Sequence, residues 1–267
     1  MRKGLLWLSA ILLACSAPQM AVPAMASQVV TAGSASGGKT ESGPHQKKRE
    51  PFEADRFVLP PTARVLVVVE GTEGSSCRVY AYEKIPESGP GWIPRVDTAG
   101  ILGHNGMSNH RTAGDKTTPI GVFQMNTPFG QDEPLEGFPG NYIQVTENHV
   151  WESETNRLQA GSMKDGERVG TKAYAGYYDY VLDAGYNIHA VPAKGAALFL
   201  HCQAEGAAGT AGCVAIPKDQ MAVIMLLYGK YGDGACYIAQ APEGTFPLIY
   251  DSYGTNNGLS PEGDFGI

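Results

Sequence analysis

The clearest pattern along the chain is a series of short apolar runs, each separated from the next by glycine, proline or polar residues. The run VLVVVE at residues 65–70 is rich in β-branched side chains, and residues 77–83 alternate apolar and polar positions. The first pattern is typical of a buried strand and the second of a half-buried one. We therefore expect an opening hairpin that begins near Arg64, followed by strands at the later apolar runs: residues 92–96, 122–123, 142–145, 180–184, 198–201, 214–216 and 236–239.

A helix is predicted after Pro217, because four apolar residues recur at helical spacing between residues 221 and 228 and glycines follow them. The many glycines and tyrosines agree with strands joined by tight turns. The predicted fold is mainly β, a β-rich cradle or sandwich with one or two short helices. A net charge of −7 and a pI near 5.4 leave no dominant basic surface, which argues against a nucleic-acid partner.

The first residues have the features of an export signal. Arg2 and Lys3 precede an apolar segment, residues 4–14, that is too short to span a bilayer. Two processing sites compete: a lipoprotein-like box that ends at Cys15, the candidate lipid-bearing residue, and an A-x-A site at residues 24–26. The lipoprotein interpretation is slightly favoured, so we expect an exported protein of the cell envelope, periplasmic or extracellular and with a candidate lipid anchor.

Composition divides the rest of the chain. Residues 1–26 form the leader, and residues 27–58, rich in Gly, Ser, Thr, Pro and charge, are predicted to be a disordered linker. One domain is expected over residues 59–251, and residues 252–267 are expected to form a loose tail.

The stretch at residues 198–217, LFLHCQAEGAAGTAGCVAIP, carries the candidate chemistry. His201 lies at the end of an apolar run, a loop rich in glycine and alanine follows, and Cys213 precedes another apolar run. An imidazole beside a thiol supplies a base for a nucleophile, and backbone N–H groups in a loop of small residues can face a developing anion. The pattern predicts a thiol acyl-transfer site.

Structural explanations for the same residues stay open. Free cysteines are among the most buried residues, and a histidine at a strand end usually has a structural role. A disulfide between Cys202 and Cys213, or a metal site that includes His201, would also fit, although the paired C-x-x-C spacing of a zinc site is missing. If Cys213 stays reduced, the most economical disulfide joins Cys77 to Cys236.

Three blocks of the sequence resemble the YkuD-type L,D-transpeptidase catalytic domain family of bacterial cell-wall enzymes. These are KTTPIGVF at residues 116–123, DAGYN at residues 183–187, and FLH followed by TAGCV, which resembles a divergent branch of the family. The resemblance implies that Cys213 is the nucleophile and His201 its base, and that backbone N–H groups at Gly212 and Cys213 stabilise the oxyanion. It also implies the family's β-rich fold, peptidoglycan stem peptides as substrates, and no metal or organic cofactor.

The chain departs from the family at two positions that would touch substrate. Ala211 stands where some members have a second histidine, and Ala215 where many have Asn or Arg. An L,D-carboxypeptidase or related thiol hydrolase and a noncatalytic cell-wall binding module therefore remain alternatives. Thr210, Tyr186 and Asn187 are candidates for polar support of the histidine. Three charged or titratable residues lie at or shortly before the start of the KTTPIGVF block: His110 could reach the cleft, whereas Asp115 and Lys116 are expected to be solvated.

Overall fold

The computed structural model describes residues 53–89, 91–161 and 165–254. The predicted leader with Cys15, the linker up to residue 52 and the tail from residue 255 lie outside the described residues. Within the described ranges the chain contains a single α-helix and many short strands, so the prediction of a mainly β fold with few helices is confirmed.

The elements of this part of the chain follow in order. The strands are β1 (Val65–Gly71), β2 (Ser76–Glu83), β3 (Ile93–Ile101), β4 (Met107–Ser108), β5 (Thr118–Pro119), β6 (Gly121–Gln124), β7 (Asn126–Gly130), β8 (Ile143–Gln144), β9 (His149–Glu152), β10 (Arg157–Ala160), β11 (Gly166–Glu167), β12 (Val181–Asp183), β13 (Phe199–Cys202), β14 (Val214–Ile216) and β15 (Cys236–Pro242). The helix is α1 (Lys218–Tyr231), and short 3-10 turns lie at Ala54–Arg56, Pro86–Ser88, Lys172–Tyr174 and Phe246–Leu248.

Ten of these strands form one curled mixed sheet in the order β6–β15–β1–β2–β3–β14–β13–β12–β7–β8. The β-branched strand β1 lies inside this sheet, parallel to β15 and antiparallel to β2, and all seven of its residues are buried. Both faces of β1 are therefore covered, as its continuous apolar sequence predicts. A smaller sheet, β10–β9–β11, and the pair β4–β5 complete the strands of the described residues.

The two faces of the large sheet carry different apolar clusters. On one face, α1 packs against alternate strand residues to form the main core, which includes Val67, Leu200, Val214, Ile224 and Tyr228. On the other face, one cluster lies around β1 and β15, and another, the cavity cluster, lies around β12 and β13. The cavity cluster consists of Phe129, Val145, Trp151, Val169, Tyr178, Val181, Phe199 and Cys213.

The packed domain extends beyond the predicted limits of residues 59 and 251. Phe57, which the sequence places in the linker, is buried and contacts the ring of Tyr250 edge-on at 5.0 Å between centroids. At the other end, the ring of Tyr253 lies 5.0 Å from that of Tyr237 on β15. Aromatic packing of the two terminal segments on the sheet explains why composition alone sets the limits too narrowly.

The structure contradicts the disulfide hypothesis for Cys77 and Cys236. Cys77 pairs with Gly71 at one end of β1, whereas Cys236 pairs with Val65 at the other end. Six residues of extended strand separate these positions, about 20 Å, and a disulfide needs Cα atoms within about 7 Å. All four cysteines of the described residues are free thiols.

Within the described residues, no helix has the length and the apolar character needed to cross a bilayer.

Candidate active site

Neighbouring parallel strands bring His201 and Cys213 to the same face of the large sheet. Leu200 on β13 pairs with Val214 on β14, so Cys213, one residue before Val214, lies beside Phe199. Side chains alternate along a strand, and His201 therefore points to the same side as Phe199. With a shift of two residues between adjacent strands, the Cα atoms of His201 and Cys213 lie roughly 8 Å apart.

The same alternation places Cys202 on the opposite face. Its side chain belongs to the main core with Leu200 and Val214, whereas Cys213 belongs to the cavity cluster. Cys202 also pairs with Ile216, three positions along β14 from Cys213. The suggested Cys202–Cys213 disulfide and the metal site that uses both thiols are therefore excluded by the sheet between them. In the described part of the chain, no three His, Cys, Asp or Glu side chains form a group that could hold a metal ion.

The Cys213 thiol is held in its neutral form. Its Sγ atom donates to the Ala197 carbonyl at 3.4 Å and accepts from the Phe199 N–H at 3.3 Å. Burial raises the pKa of Cys213 to about 12, and the negative charge of Glu167 acts in the same direction. Among the hydrogen bonds of the described residues, none joins Sγ to the His201 ring.

The His201 ring is buried and oriented by the backbone. Its Nδ1 atom lies 2.7 Å from the carbonyl oxygen of Cys202, the next residue, and its ring contacts that of Tyr178 at 5.3 Å between centroids. Burial lowers the pKa of His201 to about 4, against the effect of backbone contacts with Cys202 and Tyr177. At neutral pH the site therefore holds a neutral imidazole and a neutral thiol.

Both side chains open onto one cavity of about 840 Å³. Its lining includes the aromatic residues Trp151, Tyr174 and Tyr177, as well as residues 190–193 and 195–197. Ala211 and Ala215 also line it, so the two positions that lack the family's polar side chains do face the cavity. A space of this size and mixed character can hold a peptide segment of a few residues.

The loop before Cys213 is fixed by two threonine hydroxyls. Thr210 Oγ1 donates to the Cys213 carbonyl at 2.6 Å and accepts from the Gly212 N–H at 3.0 Å. Thr118 Oγ1 donates to the Gly212 carbonyl at 2.9 Å and accepts from the Gly103 N–H at 2.9 Å. The Gly212 N–H, expected to face an oxyanion, is thus already engaged by Thr210. For the Cys213 N–H, the hydrogen bonds of the described residues show no acceptor.

Arg111, which no sequence pattern singles out, lines the cavity beside the loop that precedes Cys213. Its side chain is only 4% exposed, and its Nη1 atom donates to the Thr117 carbonyl and lies 3.4 Å from Asp115 Oδ1. Gly212 makes room for it: with φ at 131°, a Cβ atom there would lie 2.3 Å from Arg111 Nη1. A lone arginine in a polar loop gives no sequence signal for this contact.

Asp115 is not merely solvated, as the sequence suggests, but organises the Arg111 loop. Its carboxylate accepts from the N–H groups of Thr112 and Thr117 at 2.6 and 2.8 Å, as well as from the Thr117 hydroxyl. Burial raises the pKa of Asp115, but these hydrogen bonds outweigh it and the pKa is lowered. Lys116 lines the cavity, whereas the neighbouring His110 is not among its lining residues.

Glu167 is a second cavity residue that the sequence does not single out. It accepts a hydrogen bond from the Tyr178 hydroxyl, and burial raises its pKa despite hydrogen bonds from Tyr178 and Tyr174. It lies on the two-residue strand β11, whose mixed residues give no pattern that could have indicated a half-buried carboxyl at the cavity.

The three candidates for polar support of His201 have other partners. The hydroxyl of Thr210 fixes the loop before Cys213. Asn187 bonds to Val191 and Gly195, and the ring of Tyr186 packs on Phe123. The Cys202 carbonyl takes the supporting role instead.

The N-terminus of α1 does not face Cys213, because β14 lies between them and carries the chain about 10 Å away.

A scan of the chain against protein-family models finds no match, and a search of curated proteins finds no significant relative.

Proposed function

We propose that the chain is an exported, cysteine-dependent acyltransferase of the bacterial cell wall that catalyses L,D-transpeptidation of peptidoglycan stem peptides. The observation that carries this proposal is the convergence of Cys213 and His201 on one face of the sheet, at one cavity. The resemblance of the KTTPIGVF, DAGYN and TAGCV blocks to YkuD-type catalytic domains supplies the substrate class. The proposed enzyme uses its own side chains and no metal or organic cofactor.

In the proposed reaction, the thiol of Cys213 leaves the Ala197 carbonyl and turns toward His201. As Sγ attacks the carbonyl carbon of the third stem residue, its proton passes to the imidazole and an S–C bond forms. The C–N bond to the terminal D-amino acid then breaks, and His201 returns the proton to the departing amine. The amine of a neighbouring stem attacks the thioester, so that a new C–N bond replaces the S–C bond and Cys213 recovers its proton.

Both resting groups are neutral, so in the proposed reaction the thiol proton passes to His201 only as the substrate carbonyl is attacked. A buried thiolate and imidazolium would each lack solvation, whereas a neutral pair separates charge only when the substrate carbonyl is attacked. The negative oxygen that then forms needs a donor, and the Cys213 N–H is the nearest one with no acceptor in the described residues. One such donor contributes about 3 kcal/mol to transition-state stabilisation in comparable sites.

Two alternatives share the site. With water in place of the acceptor amine, the same residues make an L,D-carboxypeptidase. The hydrogen bond from Cys213 Sγ to the Ala197 carbonyl, rather than to His201, favours a noncatalytic cell-wall binding module, since it holds the thiol away from its base.

Mass spectrometry of the intact protein after incubation with a tetrapeptide donor tests the proposal. We expect a mass increase equal to the acylated tripeptide, which is absent in Cys213→Ala and retained in Cys202→Ala, the matched control on the other face of the sheet. Addition of an acceptor amine separates transpeptidase from hydrolase by the product formed. An unmodified Cys213 under all conditions would leave the binding module as the function.

The proposed export and lipid anchoring rest on the N-terminal sequence. Metabolic labelling of the full chain with a fatty acid, compared with Cys15→Ala, tests the lipoprotein alternative. Loss of the label in the variant supports an anchor at Cys15, and cleavage after residue 26 in the unmodified chain refutes it.

A further inference from the structure

Arg111 has an unsatisfied donor in the interior of the molecule. In the described residues, its Nε atom is the only buried side-chain nitrogen or oxygen without a hydrogen-bond partner. Buried polar groups almost always have partners, because an unpaired one loses its hydration without compensation. An exception of this kind, on a charged side chain that lines a cavity, indicates a partner that arrives from the cavity.

One edge of the guanidinium is used within the protein and the other is left for that partner. Nη1 faces the Thr117 carbonyl and Asp115, while no hydrogen bond among the described residues involves Nε or Nη2. Nε and Nη2 together form the edge that binds a carboxylate through two parallel hydrogen bonds. Asp115 is at 3.4 Å on the Nη1 side, so its carboxylate does not occupy the Nε–Nη2 edge.

Small residues border this edge. A Cβ atom on Gly195 would lie 3.1 Å from Nη2 and 3.4 Å from Nε, and the φ of Gly195, 92°, disfavours any larger residue. Ala113 and Gly114 line the cavity nearby. The Nε–Nη2 edge is therefore bordered by small residues, and Nε itself has almost no exposed surface.

The position of Arg111 relative to the nucleophile defines what it could bind. Its Nη1 atom borders Gly212, the residue before Cys213, so the guanidinium lies beside the loop that carries the reacting thiol. In a peptide, the carbonyl carbon that is attacked and the carboxyl carbon of the following residue are about one residue spacing apart, roughly 3.8 Å. A free carboxylate one residue beyond the attacked carbonyl is the C-terminal carboxylate of the donor.

We propose that Arg111 binds the free C-terminal carboxylate of the amino acid that leaves when Cys213 is acylated. This inference rests on the proposed function for the identity of the donor. The polar contact with substrate that Ala211 and Ala215 cannot make is thereby assigned to Arg111, in the loop before β5. The specificity that results is for donors that end one residue beyond the bond that is broken.

The decisive experiment compares two donors that differ only at their C-terminus, a free acid and its carboxamide. For the unmodified protein we expect kcat/KM for acylation to be at least roughly tenfold higher with the acid, the effect of one hydrogen bond to a charged group. In Arg111→Gln we expect kcat/KM to fall for the acid but not for the carboxamide, so the preference for the acid disappears. Arg78→Gln, which changes a partly exposed side chain on strand β2, is the matched control and keeps the preference.

A third donor identifies which carboxylate is bound. Its C-terminus is a free acid, and its only amidated group is a carboxyl on the side chain of a stem residue. Full activity with this donor supports the terminal carboxylate, and a loss equal to that of the C-terminal amide transfers the role to the side chain and overturns the proposal. Equal slowing of acid and amide by Arg111→Gln also overturns it, since that result assigns Arg111 a structural role. If Arg111→Gln unfolds, Arg111→Lys retains the charge, and the acid-to-amide ratio of the unmodified protein still decides the question.

A binding measurement keeps this proposal separate from the proposed function. We expect N-acetyl-D-alanine to bind Cys213→Ala protein more tightly than its amide does, and to lose that advantage in the Cys213→Ala, Arg111→Gln double variant. This pattern without any acyl-enzyme would support the carboxylate site and refute the transferase. Acylation with no carboxylate dependence in either assay would do the reverse.

Discussion

The imidazole Nδ1 of His201 lies 2.7 Å from the backbone carbonyl oxygen of Cys202, the residue that follows it. If Nδ1 carries the proton in the neutral ring, the Nε2 lone pair is available to accept a proton from a thiol. Because the partner is a backbone atom, no side-chain substitution at residue 202 removes it. Orientation of the base is therefore a property of β13 itself.

The first prediction concerns the protonation of His201. Its pKa in the folded protein is lowered to about 4, so between pH 6.5 and 4 the unfolded chain binds a proton that the folded protein does not. The stability contribution is present above pH 6.5 and is lost as the pH falls toward 4, by up to about 3 kcal/mol. Denaturation at pH 7 and pH 4.5 measures it, with His201→Gln as the comparison. An equal pH dependence in both proteins would contradict the prediction.

The second prediction concerns the space that Gly212 leaves for Arg111. In Gly212→Ala, the new Cβ atom meets Nη1 at 2.3 Å and the Thr117 carbonyl at 2.7 Å, in addition to the strain of a positive φ. Gly206→Ala, in the same loop, has a positive φ but nothing within 4 Å, and isolates the backbone strain of about 1 kcal/mol. We expect denaturant unfolding to show a clearly larger loss for Gly212→Ala. Equal losses would mean that the contact with Arg111 is easily relieved.

The third prediction concerns the buried hydroxyl of Thr118, which bonds to both Gly103 and Gly212. Thr118→Val keeps the shape of the side chain but leaves the Gly103 N–H without its acceptor, at a cost of about 1–3 kcal/mol. Thr72→Val removes an exposed hydroxyl that donates to Ser76 and should cost little. Thermal unfolding of the two variants makes the comparison, and a Thr118→Val protein as stable as Thr72→Val would refute the prediction.

The fourth prediction concerns the N-terminal limit of the domain. Phe57 is buried against Phe246 and Tyr250, whereas the next residue, Val58, is 65% exposed. Phe57→Ala should lower the free energy of unfolding by about 3 kcal/mol and Val58→Ala by far less. If both variants match the unmodified protein in denaturant unfolding, residues 53–58 belong to the linker after all.

Local patterns in the sequence predict much of the sheet. The β-branched run of β1, the alternation of β2, and the apolar runs of β13 to β15 all become strands. The small sheet β9 to β11 is not predicted, because its strands are short and mix charged and apolar residues. β7 contains Pro128, which argues against a strand, yet it pairs with β12 and β8.

The residues of the candidate site, too, are only partly predictable from the sequence. The strand pattern predicts that His201 and Cys213 lie at the ends of buried strands, and both do face one cavity. Arg111 could not be predicted, because its contact with Gly212 joins residues 101 positions apart in the chain and leaves no periodic signal. Glu167 could not be predicted either, because it lies on β11, in the small sheet that the sequence pattern does not indicate.

The alternation along β13 and β14 makes the large sheet a partition between reactive groups. Of the four thiols in the described residues, only that of Cys213 lines the cavity, while Cys202 is enclosed behind it with α1. Within the described residues, an electrophilic fluorophore small enough for the cavity should thus label a single position, Cys213. Because its thiol is neutral at pH 7, we expect the rate of labelling to rise as the pH is raised.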